Sequence, residues 1–437
     1  MGYKVGVAKR DITPPVGIKM CGFAARTESS TDVYHPLQAT AVVIDDGVTP
    51  VLIVGVDILG FYDRSDAVRE ALSAALDLPR SAILLAGSHT HCGPHIRDFD
   101  TPRLGPPSPE YRGLLIRRIV EAAQAAWAGR ADAVLKAGTG TCTFAASRRR
   151  LRPDGLVEWG PDRSAPHDHD VPVLTATRAN GDVACVLYGY ACHPTSRAGL
   201  LIGGDYVSFA HDRIEELFPG AAACFLQGCG ADQKPWPVDP EATTFVQREV
   251  HEVKWLGDEL GDAVAAVVRG GGMAELSGSV TAQSRTIDLI SIPPDIDDAR
   301  AVLAGPDQRI KAWAEMIVDA VENDRALERR VPFEVQTLTL GRSLCFVALA
   351  GEITVEHGLR LKRDLASQFD HVVPVGYANH IVGYVPVKRQ IPEGGYCVEW
   401  ANKFHDRTGR WVDETEEQIH RTIGEMLTAC ARAPGRP

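Results

Sequence analysis

The segment Ala82-Ile-Leu-Leu-Ala-Gly-Ser-His89-Thr-His91 is an apolar run that ends in two histidines two residues apart. In an extended strand residues i and i+2 point to one face, so His89 and His91 can converge on one metal ion or one reacting group. A second apolar run, from Val183 to Tyr190, leads through Ala-Cys to His193, and Pro194 stops the pairing behind it. A third, starting at Leu344, leads to Glu352 past Gly351, which leaves room for close approach. His, His and Glu from three strand ends make the donor set of a catalytic zinc site, with three protein ligands and a position left for water. Each of these residues has a plainer reading in isolation: an unliganded loop histidine, or a carboxylate opening the next helix. Their convergence gives the set its meaning.

Other chemistry-bearing groups read differently. His167-Asp168-His169-Asp170 packs four donor types together, but adjacent loop residues rarely all face one ion, and the stretch reads as a turn before a strand from Val171. His95, His357, His371, His380 and His405 lack spacing partners and read as surface or satisfied core histidines. Arg148-Arg149-Arg150 with Arg152 is either a solvated loop or a grip on an acidic or carbonyl group of a substrate. Gly203-Gly204 and Gly270-Gly271-Gly272 lack the Lys-Ser/Thr of a phosphate loop and read as turns. The ten cysteines include no C-x-x-C pair; Cys92 and Cys192 stand beside candidate histidines, where either can ligate, but packing is the preferred reading.

The elements that position these groups alternate along the chain. Val-, Ile- and Leu-rich runs interleave with amphipathic stretches, which predicts an α/β fold with helices flanking mixed sheets. Two runs around Asp46-Gly47 and two around Asn180-Gly181 predict hairpins. Helical spacing predicts helices over 65–77, 109–128, 205–218, 244–269, 296–328, 355–368 and 413–432. No linker breaks the chain, so residues 1–437 read as one catalytic domain, with 271–331 as a candidate inserted subdomain.

Composition narrows the function. The chain of 437 residues is 45% hydrophobic and 24% charged, which is ample for a large core. A net charge of −11 argues against nucleic acid, whose binding needs clustered Lys and Arg. The start lacks the pattern of a secretory signal, and no apolar run reaches the roughly 20 residues of a membrane span. The expectation is a cytoplasmic protein acting on a small molecule, without a membrane role and with self-association left open.

Five motifs, in order, carry a resemblance: Val5-Gly-Val-Ala-Lys-Arg-Asp-Ile-Thr-Pro-Pro15, Ser88-His-Thr-His-Cys-Gly-Pro94, Ala191-Cys-His-Pro194, Phe225-Leu-Gln-Gly-Cys-Gly-Ala-Asp-Gln-Lys-Pro235 and Gly376-Tyr-Ala-Asn-His-Ile-Val-Gly-Tyr384. Gly351-Glu352 falls between the last two. The sequence resembles the neutral/alkaline, non-lysosomal ceramidase superfamily through its N-terminal catalytic domain. That resemblance implies zinc held by His89, His193, Glu352 and Tyr384, and hydrolysis of an N-acyl amide by a zinc-activated water. It makes His91 the acid/base partner, and aligns Tyr396 and Arg148 with groups that hold the substrate carbonyl and the transition state, Arg148 being one of three adjacent candidates.

Two departures bear on the substrate. Lys234, in Ala231-Asp-Gln-Lys-Pro235, stands where these ceramidases resemble one another in having a small hydroxyl residue. The chain also ends soon after the helix at 413–432, which predicts no C-terminal β-sandwich. With aromatics at 7%, a smaller soluble substrate is expected in place of ceramide. The leading expectation is amide hydrolysis of a small N-acylated amine. The same site would serve lactone or ester hydrolysis, or the reverse cyclisation or acyl transfer, and a non-catalytic metal- or ligand-binding protein on the same scaffold is the third reading.

Overall fold

The structure is a computed structural model that describes residues 2–97, 105–236, 243–405 and 407–432. Its frame is two mixed sheets. The larger one runs, in spatial order, Ala222–Gln227, Val183–Tyr190, Asp170–Arg178, Ala131–Thr141, Tyr3–Asp11, Gln38–Asp45, Val51–Val56 and Ile83–Gly87, with the short strand Ala274–Glu275 paired beside Ala131–Thr141. The smaller runs His371–Val375, Leu344–Leu349, Arg330–Leu340, Val280–Ile292 and Arg410–Trp411. Both hairpins form as the sequence predicts, antiparallel from Ala39↔Val56 to Ile44↔Val51 and from Val183↔Thr177 to Tyr188↔Val173.

Side-chain alternation explains the layering. Val42 and Ile44, Ile53, Leu84 and Ala86 face one way, together with Leu344, Phe346 and Ala348 of the smaller sheet, and form the core between the two sheets. Their neighbours Ala41, Val43, Leu52, Val54 and Leu85 face outward onto the helices Ser65–Leu76 and Pro109–Ala128. Cys345, Val347 and Leu349 meet the helices Val355–Leu365 and Thr415–Arg432 on the far side. Strands apolar on both faces must be covered on both, and the result is helix, sheet, sheet, helix. Each Val, Leu or Ile buried in this way contributes roughly 1.5–3 kcal/mol.

Six of the seven predicted helices appear within a few residues of their expected bounds, although Val250–Arg269 starts later than 244. The seventh, expected over 296–328, breaks: Ile296–Ala304 ends at Gly305-Pro306, and a second helix spans Lys311–Glu322. Proline lacks the N–H the helix would use and disfavours helical backbone in the residue before it, so periodicity continued where backbone chemistry did not. Within 271–331, the strand Val280–Ile292 is knit into the smaller sheet by eleven residue pairs with Arg330–Leu340. Among the described residues no helix is long and apolar enough to cross a membrane.

Candidate functional site

Three strands end at one place. Ile83–Gly87 delivers His89, Val183–Tyr190 delivers His193, and Leu344–Leu349 leads to Glu352. The first two belong to the larger sheet and the third to the smaller, so the site needs the sheets in fixed register. Asn379 and Gln336 hold that register: Asn379 accepts from the Leu85 N–H at 3.1 Å and donates to Gln336 at 2.8 Å, and Gln336 donates to the Ile83 carbonyl at 3.1 Å. The same loop brings in Tyr384, paired in parallel register with Glu352.

His89 and His91 meet, but not by strand alternation as the spacing predicts. The strand stops at Gly87, and His89 takes a left-handed backbone conformation, φ +66°, so a tight turn brings both rings to one side. Tyr62 and Tyr377, at φ +47° and +55°, flank the same centre. Such backbone costs a non-glycine residue on the order of 1–2 kcal/mol, a cost retained where the surrounding structure enforces the geometry.

The donor atoms converge. The Nε2 atoms of His89 and His193 lie 3.4 and 3.3 Å from Glu352 Oε2, a buried oxygen with no hydrogen-bond partner. His89 Nδ1 lies 2.7 Å from the Leu59 carbonyl and His193 Nδ1 lies 2.8 Å from that of Gly230. Each carbonyl requires the proton on Nδ1, which leaves the Nε2 lone pair pointing at the centre, the arrangement of metal-ligating histidines. Tyr384 Oη stands 3.3 Å from His193 Nε2 and accepts a hydrogen bond from Arg148 at 2.9 Å. Burial raises the Tyr384 phenol well above its ordinary value, and Arg148 opposes that rise.

His91 differs from the other two. Its Nε2 is 3.2 Å from His89 Nε2, but its Nδ1 has no partner, so nothing fixes its tautomer. Burial, and then the charges of His89 and His193, hold its pKa well below the usual imidazole value. His89, His91 and His193 together form a group able to hold a metal ion. Burial, and then Arg148, bring His193 down to about 3. Burial alone would raise the Glu352 carboxyl, but the imidazoles of His89, His193 and His405 outweigh it and hold the group well below the carboxylate range.

His405, read from sequence as an ordinary histidine, places Nε2 3.2 Å from Glu352 Oε1. It orients the carboxylate by occupying the oxygen that does not face the other two histidines. No spacing motif marks it, because it arrives from a separate turn at Ala401–His405.

Of the three arginines, Arg148 faces the site, whereas Arg149 pairs with Glu393 at 3.0 Å and Arg150 with Glu158 at 2.9 Å. They lie on the strand Ala145–Leu151, not a loop. Tyr396 lines the cavity, its ring centroid 5.7 Å from that of Tyr384, and burial pushes its phenol up to about 12. The motif around Asp232 serves as support: the Ala231 carbonyl accepts from Arg148, and Asp232 accepts from the Val355 N–H at 2.8 Å and from Gln390 at 3.0 Å.

The remaining sequence candidates resolve simply. Asp168 and Asp170 are held by Lys362 at 2.6 and 2.8 Å, an ion-pair cluster. Cys92 and Cys192 sit in apolar packing, and their thiols lie 3.4 and 3.9 Å from the backbone carbonyls of Arg197 and His193. The cavity over the centre has a volume of about 80 Å³ and is walled by Phe23, Tyr62, Arg97, Tyr396 and Phe404.

No protein-family profile matches this chain, and no curated protein sequence matches it. Solved structures do. The neutral ceramidase from Pseudomonas aeruginosa superposes on 100% of this chain, and on 76% of its own, with a TM-score of 0.76 at 19% sequence identity. A ceramidase complexed with C2 matches over the same shares, with a TM-score of 0.76 at 18% identity. The chain therefore has the neutral ceramidase fold, the α/β architecture of mixed sheets and flanking helices that its sequence implies.

Proposed function

We propose that this protein is a zinc-dependent hydrolase that cleaves the amide bond of a small N-acylated amine. One observation carries the reading: the lone pairs of His89 and His193, each fixed by a backbone carbonyl on the opposite ring nitrogen, meet an unpartnered carboxylate oxygen of Glu352 in a buried pocket. A buried oxygen left without a partner costs stability unless something occupies the centre it faces. A dication fits that centre, and the borderline N and O donors suit zinc. Tyr384 completes the set, with its phenolate form supported by Arg148. The printed names of the structural neighbours point to the same class of bond.

When bound, zinc would polarise the scissile carbonyl and lower the pKa of water to about 7. The chain's own groups do the rest. His89, His193 and Glu352 fix the centre, and His405 fixes Glu352. Arg148 and the Tyr396 phenol, which stays protonated at neutral pH, stand ready as donors to the developing oxyanion. His91, neutral and with no carbonyl to fix its tautomer, takes a proton at Nε2 from the attacking water and passes it to the leaving nitrogen. Phe23, Tyr62 and Phe404 give the pocket aromatic walls.

A second ligand set is favoured by the 3.2 Å approach of His91 to His89: three histidines, with Glu352 as the base. Metal content of the His91→Ala protein separates the two sets. Retention of about one zinc per chain supports the first, and loss of the metal supports the second. The function itself is tested by a screen of N-acyl amines, esters and lactones before and after chelation. Chelator-sensitive turnover that prefers amides is expected, and turnover of esters or lactones alone would reassign the bond.

A further inference from the structure

Beyond the metal pocket the cavity opens into a larger chamber, of about 590 Å³, that shares Phe23, His91, Tyr384, Tyr396 and Phe404 with it. One wall of this chamber is a three-stranded sheet, Gln233–Pro235, Ala145–Leu151 and Val157–Asp162. Lys234 lies directly opposite Ala146, and Ala146 shares a face with Arg148, two residues on. The register therefore puts two cations on one face of one sheet, and both line the chamber.

Among the described residues neither cation has a carboxylate partner. Lys234 is buried, and its ammonium donates to the Thr195 carbonyl and, at 2.9 Å, to Thr195 Oγ1, with the Phe245 ring 5.7 Å away. Arg148 is buried between the Trp159 and Tyr396 rings, donates to the Ala231 carbonyl and Tyr384, and leaves its Nε without a partner. Among the described residues no carboxylate forms an ion pair with either. Asp205 lowers the electrostatic cost of Lys234, but its oxygens accept from the backbone N–H groups of Ser196, Arg197 and Tyr206. Two other buried cations have carboxylate partners: Arg69 meets Glu334 at 2.6 Å and Arg149 meets Glu393 at 3.0 Å. A buried charge is normally paired, so Lys234, which has no anionic partner among the described residues and faces this chamber, points to an anion supplied from outside. Burial brings the Lys234 ammonium down to about 8, and the charge of Asp205 only partly opposes that fall. The rest of the lining combines the apolar and aromatic side chains Val157, Trp159, Trp400 and Phe404 with the polar Thr195, Arg309 and Glu399.

We propose that Lys234 is a specificity-determining residue: it binds a carboxylate on the substrate, whose apolar portion lies against Trp159 and Trp400, so the preferred substrates are N-acyl amino acids. Arg148 remains on the scissile carbonyl beside Tyr384, with Lys234 further along the same sheet face. The term substrate rests on the hydrolase reading; the anion site does not.

The test separates the two. Binding to the purified protein is measured by calorimetry with two probes that cannot be hydrolysed, N-octanesulfonylglycine and its neutral counterpart N-(2-hydroxyethyl)octanesulfonamide. The wild type is expected to bind the acid at least tenfold more tightly. Lys234→Met should abolish that preference while leaving the neutral probe unchanged, and Lys234→Arg should retain most of it. Equal binding of the two probes by the wild type, failure to bind either, or an undiminished preference in K234M would overturn the proposal. Hydrolysis of N-octanoylglycine and N-octanoylethanolamine is followed in parallel. Turnover of neither, with the anion preference intact, would contradict the hydrolase reading and leave Lys234 as the anion site.

Discussion

His89 and His193 each commit Nδ1 to a backbone carbonyl, while His91 commits neither nitrogen to one, and this difference assigns their roles. His89→Ala should therefore lose both metal and activity, whereas His91→Ala should keep about one zinc per chain and lose activity by about 10²–10⁴, the usual worth of a general acid/base. Elemental analysis beside a hydrolysis assay checks both. Gly22 supports His91 from behind. It sits at φ +104°, and a Cβ there would meet the imidazole at 2.6 Å. Gly22→Ala should therefore cut turnover strongly while zinc content holds; unchanged kcat would show that the position of His91 does not matter. At this scale His89, His91, His193, Glu352, Tyr384, Tyr396 and Arg148 were all named from sequence, and the structure brings them to one cavity region. His405 was not, because its partnership with Glu352 depends on a turn that no periodicity marks. Lys234 was visible as a departure, but its lack of a counter-charge is visible only in three dimensions.

Among the elements, the helix Ser65–Leu76 is fastened to the smaller sheet by one buried pair. Arg69, with a fully buried side chain, meets Glu334 at 2.6 Å and also donates to the Arg80 carbonyl at 2.7 Å. Burial would raise the Glu334 carboxyl, yet its hydrogen bond and charge contact with Arg69 outweigh burial and hold its pKa below the ordinary glutamate value. A carboxyl depressed in the folded state stabilises the fold above its unfolded pKa and loses that contribution as pH falls through the folded value. Urea denaturation should thus show Glu334→Gln less stable than the wild type by about 3 kcal/mol at pH 7, with the gap closing below about pH 4. A gap independent of pH would mean that packing, not charge, joins the two elements. Helices and hairpins were largely legible because apolar periodicity and Asp-Gly or Asn-Gly turns act locally. The break at Gly305-Pro306 was readable in principle and overridden by periodicity on either side of it. The turn at His89 was not readable, since left-handed backbone in a histidine is imposed by packing.

For the molecule as a whole, the site exists only where the two sheets meet, since His89 and His193 come from one and Glu352 from the other. The layers were legible because strands apolar on both faces must be covered on both, whatever their exact lettering, and the fold is found again in ceramidases only 18–19% identical. The chamber beside the site was not, because residues near 22, 148, 159, 234, 309 and 400 meet there from separate parts of the chain. A metal that joins two sheets should also tie folding to its presence, so chelation is expected to lower Tm and added zinc to restore it. The most direct measurement is hydrolysis of an N-acyl amine by protein stripped with a chelator and then titrated with zinc. Activity that is absent after stripping and returns in full at one equivalent per chain is the predicted result. Activity that survives complete removal of metal, or zinc that binds without restoring any turnover, would contradict the assignment of this site.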